Sequence, residues 1–110
     1  MPPRDEQSLI DILTSAKLAL SYVANKTLDD FIEDNQCHDA VIRRIEIIGE
    51  AAYRVSPATK IALPQFDWRR MMGMRNVMIH QYDNVDLETV WQVLQHHLPP
   101  LVTQLEQILP

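Results

Sequence analysis

Four polar side chains in a methionine-rich stretch have the residue types needed for chemistry on a phosphodiester. They are Arg75, Asn76, His80 and Tyr82, in WRRMMGMRNVMIHQYDNVD (residues 68–86). An imidazole can take a proton from a 2′-hydroxyl or return one to a leaving oxygen. An arginine can bind a phosphate through two N–H groups and stabilise charge on its oxygens. An asparagine can hold a substrate oxygen or fix the histidine tautomer.

A helix over residues 68–82 would bring these side chains to one end of a single element. At about 100° per residue, Arg75 shares a line with Tyr82, and Asn76 shares a neighbouring line with His80. The spacing from Arg75 to His80 corresponds to about 140° and roughly one and a half turns. A long guanidinium can bend across that interval toward the imidazole, so the spacing is compatible with one active site.

The same residues also fit a purely structural helix. Arg75 and His80 lie toward the C-terminal end of the predicted helix, where the helix dipole favours positive charge. The methionines of the stretch fit an adaptable core or a dimer face. Spacing alone leaves both interpretations open.

Composition and charge favour a soluble helical protein with one domain spanning residues 1–110. Of its 110 residues, 46% are hydrophobic, 23% are charged and only two are glycine, which favours helix over sheet. A chain of this length hides roughly two thirds of its unfolded surface, enough for a core. The net charge of −5 argues against a non-specific nucleic-acid coat, which depends on clustered Lys and Arg.

The sequence predicts neither a metal cluster nor a membrane segment. Cys37 is the only cysteine, and the four histidines lack ligand spacing with it, so neither an internal disulfide nor a zinc cluster is expected. No apolar run approaches the roughly 18 residues that span a bilayer, and the initial MPPRDEQS does not resemble a signal peptide. We therefore expect a protein of the reducing cytosol.

Hydrophobic periodicity predicts an all-α fold, an antiparallel bundle of four or five helices. Four of these helices begin at a residue whose side chain can accept free backbone N–H groups. The predicted N-caps are Ser8, Thr27, Asp67 and Asp86. The third helix, HDAVIRRIEIIGEAAYRVS, has a core stripe of Val41, Ile45, Ile48, Ala52 and Val55.

Prolines mark two interruptions of the helical pattern. SPATKIALPQFD contains Pro57 and Pro64 and is predicted to be a loop. Pro99 and Pro100 lie inside the last helical pattern. Because proline lacks a backbone donor and clashes with the preceding turn, we expect a kink or two helical pieces there.

Three further features have specific interpretations. Gly49 lies within an apolar helix, where it costs about 1 kcal/mol relative to alanine, so it should permit close approach of another helix. Glu50 beside it could face the site or the surface. His96 and His97 are adjacent and would point in different directions on a helix, so metal ligation by this pair is not expected.

The run GMRNVMIHQY followed by DNVDLETVW resembles the HepT-like branch of the HEPN superfamily, small all-helical toxins of prokaryotic toxin–antitoxin pairs. The family's motif is an arginine, a polar residue, a short apolar spacer and a histidine, and this branch adds a tyrosine two residues later. These positions are occupied by Arg75, Asn76, the spacer VMI, His80 and Tyr82. IEIIGEAAYRVSP, FDWRRMMGMRN and LPPLVTQLEQIL extend the resemblance over most of the chain.

The resemblance implies a metal-independent endoribonuclease without a cofactor, acting as a homodimer whose two motifs face each other across a cleft. Arg75 and His80 would be the catalytic pair, and Asn76 would position the substrate or the histidine. Attack by the 2′-hydroxyl would leave a 2′,3′-cyclic phosphate and a free 5′-hydroxyl. Arg69 and Arg70 are the further candidate RNA contacts, with pairing to nearby carboxylates as the alternative.

The resemblance also implies a partner, a minimal nucleotidyltransferase that silences the toxin by attaching AMP to the motif tyrosine, here Tyr82. On the predicted helix a nucleotide on Tyr82 would place a phosphate on Arg75 and block the cleft. Some family members keep the motif and act instead as binding partners of a nucleotidyltransferase. A non-catalytic module that binds such a partner or a nucleotide is therefore the alternative function, and a structural dimeric bundle is a third.

Overall fold

The computed structural model describes residues 1–80 and 86–110, with residues 76–80 described by their helical backbone alone. The described residues form helices joined by short connections and include no strand, which confirms the all-α prediction. The elements are α1 (Pro3–Tyr22), α2 (Leu28–Glu33), α3 (Asn35–Arg54), α4 (Pro57–Ala62), α5 (Trp68–His80), α6 (Leu87–Gln92), a π-helical segment (Val93–His97) and α7 (Leu98–Ile108).

Helix α3 is the central element of the core. It packs most extensively against α1 on one side and α5 on the other, and α7 packs against α1. The predicted core stripe of the third helix is confirmed, since its four residues within α3 and Val55 directly after the helix are all buried. Burial of each large aliphatic side chain stabilises the fold by about 1.5–3 kcal/mol, so α3 fixes the position of α5.

Three of the predicted N-caps are confirmed. The Thr27 hydroxyl accepts a hydrogen bond from the backbone N–H of Asp30, whose carboxylate accepts one from the Thr27 N–H in return. Asp86 accepts from the N–H of Thr89 at 3.3 Å and caps α6. Asp67 accepts from the N–H three residues later at 3.1 Å and holds the first turn of α5. These bonds satisfy N–H groups that a helix start leaves free.

The start of α1 differs from the prediction. The helix begins at Pro3, because proline has the right φ for the first helical turn and needs no partner for a missing N–H. Ser8 is therefore inside the helix, where its hydroxyl donates to the carbonyl of Arg4 at 3.2 Å. Its prediction as an N-cap was wrong.

The predicted loop between the third and fourth helices contains the short helix α4. Ser56 caps it by accepting from the N–H of Thr59 at 3.4 Å, and Pro57 occupies its first turn. The same residues that mark a turn thus begin a helix. The prediction of a loop was wrong for residues 57–62.

The predicted break at Pro99 and Pro100 is confirmed, and it takes the form of the π-helical segment between α6 and α7. A proline ring clashes with the carbonyl four residues earlier and supplies no N–H to it. The turn before the prolines therefore widens into a π-helix. Within the described ranges, no helix is both long and apolar enough to cross a membrane.

Candidate active site

The motif helix α5 meets α3 at Gly49, where the two backbones are in direct contact. A Cβ added at Gly49 would overlap the backbone nitrogen of Arg75 and lie 2.7 Å from its Cα. Glycine is therefore the residue that allows this approach, which confirms the interpretation of Gly49 from the sequence. The contact fixes where the backbone of Arg75 lies relative to α3.

The side chain of Arg75 lies over the ring of Tyr53. The Arg75 Cζ is 5.3 Å from the ring centroid, within the range of a cation–π interaction. Tyr53 is 64% exposed, so this pair is at the surface. A guanidinium has five N–H donors, so a contact with one ring leaves donors for an anion.

Sequence reasoning did not identify Tyr53. Its position was nevertheless encoded, because Tyr53 follows Gly49 by four residues and so lies one turn further along the same face of α3. Where a glycine lets a second helix approach closely, we expect the side chain one turn further along the same face to contact a side chain of that helix. The Arg75–Tyr53 contact is of this kind.

The structure tests the other motif residues only in part. Arg75, Asn76 and His80 all belong to α5, so the prediction that they share one helix is confirmed. The side chains of Asn76 and His80 lie outside the described residues, as does the whole of Tyr82. The approach of Arg75 to His80 thus stays a prediction, with an axial separation of about 7.5 Å for a regular helix.

The methionines and arginines that precede the motif have different environments. Met71 and Met74 are 4% and 6% exposed and belong to the core of this chain, which answers the question of core or dimer face for these two. Arg69 is exposed. Arg70 lies 3.7 Å from the carboxylate of Asp67, the pairing considered as the alternative to an RNA contact.

Arg70 also lines a pocket of about 210 Å³ between the first half of α5, the π-helical segment and α7. Its Nη1 lies 3.1 Å from Nδ1 of His97. Burial, followed by the charge of Arg70, lowers the pKa of His97 below its usual range. We call this cavity the Arg70 pocket; its lining residues are Gln65, Asp67, Arg70, Met71, Met74, His96, His97, Pro100, Leu101 and Gln104.

The structure also describes the environment of Glu50 and the grouping of possible metal ligands. Glu50 is half-buried and lies 3.6 Å from the guanidinium of Arg43, a surface ion pair on α3. Among the residues that the structure describes, no three His, Cys, Asp or Glu side chains are grouped to hold a metal ion.

Comparison with known families decides how this geometry is interpreted. The family model described as "Ribonuclease HepT-like" matches residues 12–108. The chain belongs to the HepT-like ribonuclease family. The matched range contains the motif helix α5, the glycine that receives it and Tyr53, so the site described above lies within the family domain. The prediction of an RNA-cleaving enzyme is confirmed at the level of this family.

Relatives of this HepT-like protein cover nearly its whole length. A Thermococcus cleftensis protein named "Probable ribonuclease HepT" is 33% identical over 100 residues, covering 91% of each chain. A Methanocaldococcus jannaschii protein named "Putative RNase MJ1380" is 32% identical over 107 residues, covering 96% of this chain and 98% of the relative. No solved structure gives a significant match.

Proposed function

We propose that this HepT-like protein is a metal-independent endoribonuclease toxin in which Arg75 and His80 perform the chemistry. The observation that carries the proposal is the placement of Arg75. Its backbone is set against Gly49 and its guanidinium is held on Tyr53, with N–H donors left for a phosphate. His80 follows on the same helix at the spacing of the family motif.

The proposed reaction is an internal transfer at phosphorus. His80 takes the proton of the 2′-hydroxyl, and the resulting oxygen forms a bond to phosphorus as the bond to the 5′ oxygen breaks. The leaving 5′ oxygen receives a proton from an imidazolium, so the products are a 2′,3′-cyclic phosphate and a 5′-hydroxyl. In a homodimer, two copies of His80 facing one cleft supply the base and the acid.

The other motif residues have supporting roles in this proposal. Arg75 binds the phosphate oxygens and stabilises the charge that develops on them, an effect worth about 2.7–4 kcal/mol when a comparable single donor is removed. Asn76 positions the substrate or fixes the tautomer of His80. Arg69 and Arg70 hold the RNA strand against an otherwise acidic protein.

Control of the toxin is assigned to Tyr82 in the same proposal. A minimal nucleotidyltransferase attaches AMP to its phenol, forming a P–O bond to the tyrosine and releasing pyrophosphate from ATP. The added phosphate is then available to the arginine of the motif and competes with RNA. The alternative function, a non-catalytic module that binds the nucleotidyltransferase, shares this partner and lacks the cleavage.

Expression in a bacterial host separates the two functions. We expect wild type to stop growth and His80→Ala to leave growth normal at equal protein level. Co-expression with the cognate nucleotidyltransferase should restore growth of cells that express the wild-type toxin. The toxin purified from these cells should gain the mass of one or more AMP units, and Tyr82→Phe should abolish this gain. Growth arrest that persists with His80→Ala, or no arrest by unmodified wild type, would contradict the proposal.

A further inference from the structure

The Arg70 pocket combines an apolar floor with polar groups that converge on its opening. Met71, Met74 and Leu101 are buried beneath it. Arg70 and His97 lie at its rim in mutual contact. By residue type the lining is mostly polar or charged, and the Arg70 guanidinium in it can bind an anion through two N–H groups.

The contact between Arg70 and His97 determines which of their atoms donate and which accept a hydrogen bond. A guanidinium can only donate, so Nδ1 of His97 accepts from Nη1 of Arg70 across their 3.1 Å separation. The neutral imidazole therefore carries its proton on Nε2 and is itself a donor. Gln104 adds an amide, which now donates to the carbonyl of Gln65 at 3.4 Å.

Arg70 retains free capacity in this arrangement. Its side chain is 53% exposed, and its 3.7 Å approach to Asp67 is longer than a hydrogen bond. A guanidinium has five N–H donors, and a planar pair of them matches two oxygens of a phosphate. An anion at the rim can therefore displace the loose contact with Asp67.

The π-helical segment places the histidines of the pocket. His96 and His97 end this segment, and Leu98 separates them from Pro99 and Pro100. In a regular α-helix each residue advances about 100°, and an extra residue in one turn shifts all later side chains around the axis. The wide turn thus determines that His97 meets Arg70 on α5. Such turns recur at functional sites.

We propose that the Arg70 pocket binds a non-reacting phosphate of the RNA strand through Arg70 and His97. The inference rests on the proposed ribonuclease function and adds a second contact point for the strand. The pocket is lined by Arg70 and excludes Arg75, five residues later on α5. The two arginines are therefore separated by about 7.5 Å along the helix axis and address different parts of one strand.

Phosphate binding in this pocket is linked to proton uptake. The charged or titratable groups that face His97 are Arg70 and Asp67 across the pocket and His96 on its own segment. At neutral pH Arg70 and Asp67 balance in charge, and His97 is neutral. A bound phosphodiester, with its single negative charge, favours imidazolium at His97. The Nδ1 of His97 then no longer accepts from Arg70, and both groups can donate to the phosphate. Affinity should therefore rise as pH falls from 8 to 6.

The test measures binding of a 2′-O-methyl RNA oligonucleotide, which lacks the attacking hydroxyl, to wild type, Arg70→Gln and His97→Gln. Lys17→Gln is the matched control, since it removes one charge from a surface pair with Glu106, and neither residue of that pair lines the pocket. We expect each pocket variant to lose roughly ten-fold in affinity. For Arg70→Gln the slope of log K against log salt should also fall by about 0.7, and Lys17→Gln should match wild type.

NMR of the His97 imidazole gives the site-specific readout. Adding the oligonucleotide to wild type should raise the pH midpoint of the His97 resonance, and Arg70→Gln should reduce that change. Inorganic phosphate and AMP are titrated in parallel. Unchanged oligonucleotide affinity in both pocket variants overturns the proposal, even where free phosphate or AMP still shifts His97.

These outcomes are distinct from failure of the ribonuclease proposal. Cleavage measured on unmodified RNA tests the motif, whereas the 2′-O-methyl strand reports binding alone. Full cleavage with pocket variants that bind normally rejects the pocket and keeps the enzyme. If the wild-type protein cleaves no RNA and the pocket variants lose binding, the phosphate-binding proposal is supported and the ribonuclease proposal is rejected.

Discussion

Arg75 is held by a tyrosine outside the motif that defines the family resemblance. The Cζ of its guanidinium lies 5.3 Å from the centre of the Tyr53 ring, and the ring is open to solvent. A cation–π interaction of this kind favours positions of the guanidinium over the ring. In the proposed reaction Tyr53 would therefore position Arg75.

Replacing Tyr53 with leucine should lower kcat/KM for RNA cleavage about two- to five-fold. The change removes a surface cation–π interaction of about 0.5–1 kcal/mol, and Arg75 then loses its preferred orientation. Tyr53→Phe keeps the ring and should retain nearly full activity. Equal kcat/KM for the leucine variant and wild type, measured on the same RNA, would show that the contact with Tyr53 does not position Arg75.

The difference between these two residues shows what the sequence could predict at this scale. Residue type and spacing made Arg75 a candidate, and the family resemblance gave it a catalytic role, because an arginine and a histidine on one helix form a local pattern. Tyr53 was missed because its role depends on how α3 and α5 dock, and that register is a tertiary property. The contact at Gly49 supplies the missing register.

Helix α5 owes its position to a single close contact on α3. The backbone of Arg75 occupies the volume that any Cβ at Gly49 would need. Gly73 on α5 is the counterexample in the same region, since a Cβ there would meet nothing within 4 Å. An alanine at Gly49 therefore tests the packing contact between the helices, whereas an alanine at Gly73 tests helix propensity alone.

Gly49→Ala should destabilise the fold by about 1–3 kcal/mol, because the added methyl overpacks against backbone that has little room to move. Gly73→Ala should instead stabilise it by up to about 1 kcal/mol through helix propensity. Urea denaturation followed by circular dichroism measures both. Equal stability changes in the two variants would contradict the close approach of α3 and α5.

The helix boundaries illustrate where local sequence suffices. Thr27, Asp67 and Asp86 were predicted as caps, because capping is a contact within three residues. The break before Pro99 was also predicted, because a proline disturbs the turn that directly precedes it. Helix α4 was missed although Ser56 and Pro57 form a local start signal, because the two prolines of the segment were interpreted as marking a loop.

A buried carboxylate joins the start of the chain to α4. Asp5 accepts hydrogen bonds from the hydroxyls of Ser56 and Thr59, both at 2.6 Å, and from the Ser56 N–H at 3.1 Å. These bonds, the Ser56 hydroxyl above all, hold the pKa of Asp5 below its usual value. The link ties α1 to the segment that leads into the motif helix.

Asp5→Asn should lower the melting temperature at neutral pH, since the amide replaces a charged acceptor that three donors address. A depressed pKa stabilises the fold above the unfolded value of about 3.9. That contribution is lost as the pH falls through the lower folded value. The difference from wild type should therefore shrink between pH 5 and pH 2.

Glu6→Gln is the control for this charge change, because Glu6 lies in the same first turn of α1 and outside the Asp5 network. Its melting temperature should follow wild type across that pH range. A pH-independent difference between Asp5→Asn and wild type would mean that the carboxylate does not titrate as the hydrogen bonds require.

For the molecule as a whole, the sequence specified an all-α bundle and the helix that carries the motif. It did not specify which helices pack against each other. That packing depends on Gly49 and on contacts between distant residues, such as Asp5 with Ser56, which are separated by 51 residues. Nor did it identify the Arg70 pocket, since its two halves lie 27 residues apart. Helix α5 carries three arginines and no acidic residue in a chain with net charge −5, so the proposed strand binding would be local.

Cleavage of RNA in EDTA by purified, unmodified protein tests the central claim most directly. Wild type is compared with His80→Ala and Arg75→Ala, and with His38→Ala and Arg43→Ala on the first half of α3 as matched controls. We predict cleavage by wild type and both controls, with 2′,3′-cyclic phosphate ends, and a loss of at least about a hundred-fold in His80→Ala and Arg75→Ala. Cleavage that persists without His80, or that requires an added metal ion, would contradict the account.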